Sequence, residues 1–219
     1  MSAILSESDL ERIRLAVGEA EQRTAGEIVP YIVEQSGSYE VAVWRGASCA
    51  ALLTMAVAVL TLQFYAGWGF GWLFTSWGMA LLVSVAGVAG ALGAAFITPL
   101  KRLLIGPELM ARKVHRRASL AFLEEEVFHT RDRTGILLFV SLFEHRIEVL
   151  GDTGISEQVT EDEWIDIVDT VRRGIRQDHF ADGLVEAIGM CGALLERKGV
   201  AVRPDDTDEL PDNVRLRKE

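Results

Sequence analysis

Between Arg45 and Lys101 the chain runs for 55 residues without an Asp, Glu, Lys or Arg. Nothing else in the sequence constrains the fold as strongly. All 54 charged side chains crowd into the other 164 positions, about one in three. A globular domain does not sort its charges in this way. The pattern predicts two soluble segments, 1–45 and 101–219, separated by an apolar insert at 46–100. Two long apolar helices at the centre of a larger soluble domain are the competing reading. Only 164 residues would remain to cover them, so the membrane reading is preferred.

Within the insert, residues 47–66 form a 20-residue run rich in Ala, Leu, Val and Met. A helix of that length reaches about 30 Å, the thickness of a bilayer's hydrocarbon core. Residues 77–98 form a second such run, closed by Pro99. The connection between them is dense in Gly and aromatics. Trp68, Trp72 and Trp77 suit the headgroup level, where an amphipathic ring is half solvated. The glycines of 67–71 follow an apolar span rather than a strand, so they are no nucleotide loop. Two spans joined by a short loop make a hairpin and put both soluble segments on one side. Arg45, Lys101 and Arg102 flank it and the loop is uncharged, which predicts a cytoplasmic side, as in a bacterial inner membrane. In the second span Ala86, Gly90, Gly93 and Ala94 recur at steps of three and four. Such a stripe admits close helix contact, either with the first span, the preferred use, or in a homo-oligomer.

Charge and cysteine content narrow the function. The net charge is −10, and residues 134–219 contribute −9 of it. Residues 101–133 are instead +3, beside the insert, where anionic lipid would attract them or where they simply form a solvated helix face. The acidic balance and the lack of a basic, aromatic-studded patch argue against nucleic acid. Cys49 and Cys191 share no spacing with each other or with a histidine that suits zinc or a redox pair. The N-terminus lacks the basic-then-apolar order of a cleavable signal.

The soluble segments read as alternating elements. Ser6 with Asp9 and Thr160 with Glu163 have capping-box spacing and predict helix starts. A strand is predicted over 27–33, with Pro30 implying an edge or a bulge. A helix follows from Pro107 to about Phe128. Residues 135–142 form a continuous apolar strand and 146–150 an alternating one, joined by a short turn. Two amphipathic helices follow, and 201–219 is expected to be a flexible polar tail. The predicted fold is a small α/β/α sandwich with a mixed sheet, interrupted by a two-helix transmembrane hairpin. Its soluble parts are 1–45 and 101–200. The first two strands should be parallel.

Parallel strands also predict a site. The starts of the first two strands and the end of the third share one end of the sheet, bringing Glu27, Asp132 and Asp152 there. Asp162 follows in the next cap. Three or four carboxylates suit a hard cation such as Ca²⁺ or Mg²⁺. The bland alternatives are a capping role for Asp162 and an ion pair from Asp132 to a neighbouring arginine. The acidic run Glu124-Glu125-Glu126 reads as a solvated helix face. His115, His129, His145 and His179 are scattered, and no nucleophile elbow or phosphate loop is present.

The runs Gly26-Glu27-Ile28-Val29, 134–149, Gly151-Asp152-Thr153-Gly154-Ile155 and Phe180-Ala181-Asp182-Gly183-Leu184 resemble the TPM domain. That family includes thylakoid lumen phosphatase-like proteins, photosystem repair factors and many bacterial membrane proteins. The resemblance covers about 5–198 apart from the insert, and implies an α/β/α sandwich. It also implies acid phosphatase activity or divalent-metal binding by acidic residues in some members. The chain departs from the family pattern at Arg133-Thr134, where Asn commonly precedes the strand glycine, and in the glycine segment at 151–155. Both departures lie near the implied site and weaken the case for an inherited phosphatase. The expected function is a membrane-anchored cytoplasmic interaction or membrane-protein quality-control module, its partners the lipid bilayer and other membrane proteins. The alternative is a metal-dependent phosphatase-like hydrolase.

Overall fold

The computed structural model describes residues 5–64, 71, 75–203 and 209–218. The chain divides into two compact units. One combines residues 1–37 with 111–219, and the other spans 38–110. The second unit is thus inserted within the chain of the first.

The first unit opens on α1 (Glu7–Glu21), started by the predicted box: the Ser6 hydroxyl accepts from Asp9 N–H, and Asp9 accepts from Ser6 N–H. Next come β1 (Ile28–Val33) and, beyond the insertion, α5 (Pro107–Glu124), β2 (Ile136–Ser141) and β3 (Arg146–Gly151). A single turn of helix, α6 (Thr153–Ser156), leads to α7 (Glu161–Arg176) and α8 (Phe180–Arg197). The chain closes on β4 (Arg215–Arg217). The four-stranded sheet has the order β3-β2-β1-β4. β1 runs parallel to β2 and β4, and β2 antiparallel to β3.

Apolar residues cover both faces of the sheet. On one, Ile28, Ile32, Ile136 and Leu138 join Ile13 and Val17 of α1, Ile167 of α7 and Leu184 of α8 in one cluster. On the other, Val29, Tyr31, Leu137 and Phe139 meet Val114, Ala118 and Ala121 of α5. β1 and β2 are buried throughout, which explains their unbroken apolar runs. The mixed α/β fold expected from sequence is present.

Two expectations change. Residues 215–217, placed in a flexible tail, form β4 at the sheet edge. β1, whose proline implied an edge or a bulge, has strands on both sides. The reason is local. Ile136 N–H donates to Glu27 O and Leu142 N–H to Val33 O, so odd-numbered β1 residues bond β2 and even-numbered ones face the other way. β4 lies on that other side only opposite Tyr31–Val33. Pro30 therefore lacks its N–H where no strand requires one, and Ile28 N–H on the same side donates to Glu21 Oε1 at 2.9 Å.

The second unit holds α2 (Glu40–Phe64), α3 (Ser76–Phe96) and the short α4 (Thr98–Leu104). Pro99, expected to close the second span, lies in the first turn of α4, where its missing N–H costs nothing. Two helical stretches, Glu40–Leu62 and Ser76–Phe96, are long and apolar enough to cross a membrane. Their apolar side chains are largely exposed, Leu52 at 70% and Phe96 at 81%. A soluble core built on them, the competing reading, is not what forms. α2 and α3 cross at glycines: a Cβ on Gly90 would stand 2.3 Å from Gly46 O, and one on Gly46 2.7 Å from Ala94 Cβ. Gly90 and Ala94 of the small-residue stripe therefore face α2, the preferred use, whereas Gly93 lies against Ile97 and Leu100. Trp77 is exposed at the start of α3. Trp68 and Trp72 lie outside the described residues.

Candidate functional site

The parallel pairing places Ile28 beside Ile136, and Ile136 beside Gly151. Glu27, residues 132–135 and Asp152 consequently meet at one end of the sheet. The turn before β2 is held by Thr130, whose carbonyl accepts from Arg133 N–H and whose hydroxyl accepts from Thr134 N–H. Arg133 in this turn has φ +58°, a left-handed conformation uncommon for a residue other than glycine, asparagine or aspartate. Gly154 N–H donates to Arg133 O, and a Cβ on Gly154 would stand 2.2 Å from Asp132 O. The first turn of α6 thus seats directly on the 132–133 backbone, and only glycine fits.

Three of the four carboxylates are engaged by named groups. Asp152 is buried, 4% exposed. Its Oδ1 accepts from Thr153 N–H at 2.7 Å, capping α6, and from Arg133 Nη2 at 3.0 Å, while Oδ2 lies 2.6 Å from Arg133 Nε. Arg133 thus engages both carboxylate oxygens, by a hydrogen bond to Oδ1 and an ion-pair contact to Oδ2. The Arg133 guanidinium also lies 5.9 Å over the Phe128 ring. Asp132 pairs with Arg203. Buried Glu27 accepts from Glu209 N–H at 3.0 Å. Asp162 is exposed in the first turn of α7, where its charge complements the helix dipole.

The structure therefore gathers Glu27, Asp132 and Asp152 at one end of the sheet, as expected, but it gives each a cationic or amide partner instead of a shared point. Among the described residues no group of three or more His, Cys, Asp or Glu side chains is placed to hold a metal ion. Arginine engages Asp132 and Asp152, an amide engages Glu27, and Asp162 stands apart in α7. A cleft of about 280 Å³ at this end is lined by Asp132, Thr134, Gly154, Gln158, Lys198 and Arg203, charges of both signs. Lys198 also lies 2.9 Å from Glu163. This lysine and the Thr160 amide hold the Glu163 carboxyl well below its usual range, at about 2.

Lys198 and Arg203 were not singled out from the sequence. They come from the end of α8 and the segment after it, and no local pattern ties them to residue 132. Burial pushes the Cys191 thiol up to about 12, so it is an inert core residue.

Comparison with known proteins agrees with this frame. The family model of the TPM domain matches residues 105–194. Residues 105–194 are thus similar to a TPM domain. The match begins at residue 105, near the end of the inserted unit, and ends within α8, so β1 and β4 of the sheet lie outside the matched range. The solution structure of BA42 protein from the psychrophilic bacterium Bizionia argentinensis is similar to the chain, with a TM-score of 0.59 and 18% identity. The likeness covers 97% of this chain and 95% of that one, and at this identity it speaks for the fold alone. No curated protein matches the chain.

Proposed function

We propose that this TPM-domain protein is a membrane-anchored interaction or membrane-protein quality-control module. In this reading α2 and α3 form a transmembrane hairpin and the TPM domain faces the cytoplasm, in a bacterial inner membrane. The observation that carries it is a pair of apolar helices of 23 and 21 residues, largely exposed, inserted within the chain of an α/β domain. Water penalises that exposed surface at about 25 cal/mol per Å², and lipid does not. Arg45, Lys101 and Arg102 near the ends of the hairpin support the orientation. Arg45 Nη1 also donates to Leu104 O at 2.7 Å, meeting a carbonyl that the end of α4 leaves open. Gly90 and Ala94 facing α2 favours a self-contained hairpin over association through that stripe. Metal-dependent phosphoester hydrolysis has no assembled residue set behind it among the described residues.

Two measurements test the reading. After alkaline carbonate extraction the chain should stay with the membranes, and protease should digest the TPM domain in inverted vesicles only. Release into the supernatant would refute the anchor. In-cell cross-linking should recover specific membrane proteins while a phosphoester panel shows no turnover. Turnover that Asp152→Asn abolishes with the fold intact would favour the hydrolase.

A further inference from the structure

Glu125 was read from sequence as part of a solvated acidic run, yet its side chain is only 15% exposed. Its carboxylate accepts from Arg215 Nε at 3.0 Å and from Arg217 Nη2 at 3.2 Å. Both arginines belong to β4, and between them Leu216 packs into the opposite apolar cluster with Val214. The alternation is that of a strand: two cations on the Glu125 face, one aliphatic group on the other. Arg217 also bonds the Tyr31 hydroxyl, and Glu125 first, then Tyr31, holds its guanidinium above its ordinary range. An open groove of about 720 Å³, lined by Glu124, Glu125, Leu210 and Arg215 among others, runs alongside.

β4 is weakly held for a strand. Three residues pair with β1, and no residue between 209 and 218 is fully buried, whereas every residue of β1 and β2 is. Such elements open locally at a fraction of the global unfolding free energy. When β4 leaves, β1 presents N–H and C=O groups that a strand can pair, beside an acid placed to receive cations two residues apart.

We propose that the β1 edge beside Glu125 is a binding groove for an extended segment of basic–apolar–basic sequence, and that the chain's own C-terminal strand occupies it at rest. The incoming segment pairs parallel to β1, sets its two cations on Glu125 and its aliphatic residue where Leu216 lies. Displacement also withdraws the Glu209 amide from Glu27 and the Glu209 carboxylate from Arg131 N–H, so occupancy of the groove is felt at the sheet end that carries Asp132 and Asp152. The groove rests on the interaction-module reading but not on the membrane anchor.

The test uses the full chain in detergent and a fluorescent peptide of residues 209–218. A chain carrying Arg215→Glu with Arg217→Glu, which weakens its own strand, should bind the peptide at least tenfold more tightly than the unaltered chain. Adding Glu125→Arg should abolish binding, and a peptide with both arginines replaced by Glu should not bind. Equal affinity for the unaltered and the doubly substituted chain would overturn the proposal. Hydrogen exchange in the unaltered chain gives a readout that needs no variant. The Glu34 amide, which donates to Arg217 O, should exchange at least tenfold faster than the Leu138 amide in β2. A common rate for both would show a strand that opens only with the whole domain, and would also overturn the proposal. If cross-linking recovers no partner while the peptide binds as expected, the interaction-module reading fails and the groove stands as an internal latch.

Discussion

Asp178 shows how one residue limits an element. It follows the last turn of α7 at φ +60°, and Asp178 and His179 N–H groups donate back to Ile175 O and Gly174 O. That is a Schellman closure with an aspartate where glycine is usual. The left-handed conformation costs a non-glycine residue about 1 kcal/mol, partly offset because glycine has more freedom to lose. Asp178→Gly should therefore stabilise the domain by roughly 0.5 kcal/mol, visible as a higher midpoint in urea. Buried Glu144 acts in the opposite sense. It accepts from Ser36 N–H at 2.9 Å and from the Ser141 hydroxyl, while the Ser36 and Ser141 hydroxyls lie 2.7 Å apart. Removing the carboxylate strands two buried donors, so Glu144→Ala should cost about 1–3 kcal/mol in the same measurement. Glu163 gives the pH dependence. Its carboxyl falls from an ordinary 4.5 to about 2 on folding. A lowered folded pKa contributes stability that is present above 4.5 and lost as pH falls from 4.5 towards 2. The gap in Tm between the unaltered chain and Glu163→Gln should close across that window, and a gap independent of pH would count against it.

At the scale of elements, close packing decides. α2 and α3 approach at Gly46 and Gly90 so nearly that no Cβ fits between them. Gly90→Leu should drive the two helices apart, and spin labels on their facing surfaces should report a separation larger by about a side-chain layer. An unchanged separation would mean that the crossing is not made there. Helix starts were legible in the sequence, because a capping box is a local pattern and both predicted boxes formed. β2 and β3 were legible for the same reason, one as a doubly buried run and the other as a one-sided alternation. α6 was not, since four residues hold no periodicity and its existence depends on Asp152 and on Gly154 meeting the Asp132 carbonyl. β4 was hidden as well. Its sequence is polar because its arginines answer Glu125, ninety residues away and invisible to any local window.

For the whole molecule, the 55-residue charge gap fixed the organisation. A stretch that carries no charge and repeats a membrane-length apolar run twice can form few stable things besides a helical hairpin. The sequence alone therefore determined where α1 and α7 begin, that β2 is buried on both faces, and that one unit interrupts the chain of another. The parallel pairing of β1 and β2 followed from chain connectivity, and it correctly brought Glu27, Asp132 and Asp152 to one end of the sheet. Only the tertiary structure decided what those carboxylates do there. Arg133, Arg203 and Glu209 reach them from separate parts of the chain, and a charge's role depends on which opposite charge stands within about 4 Å of it. Periodicity is written along the chain, whereas the partner of a buried charge is a matter of distance across it.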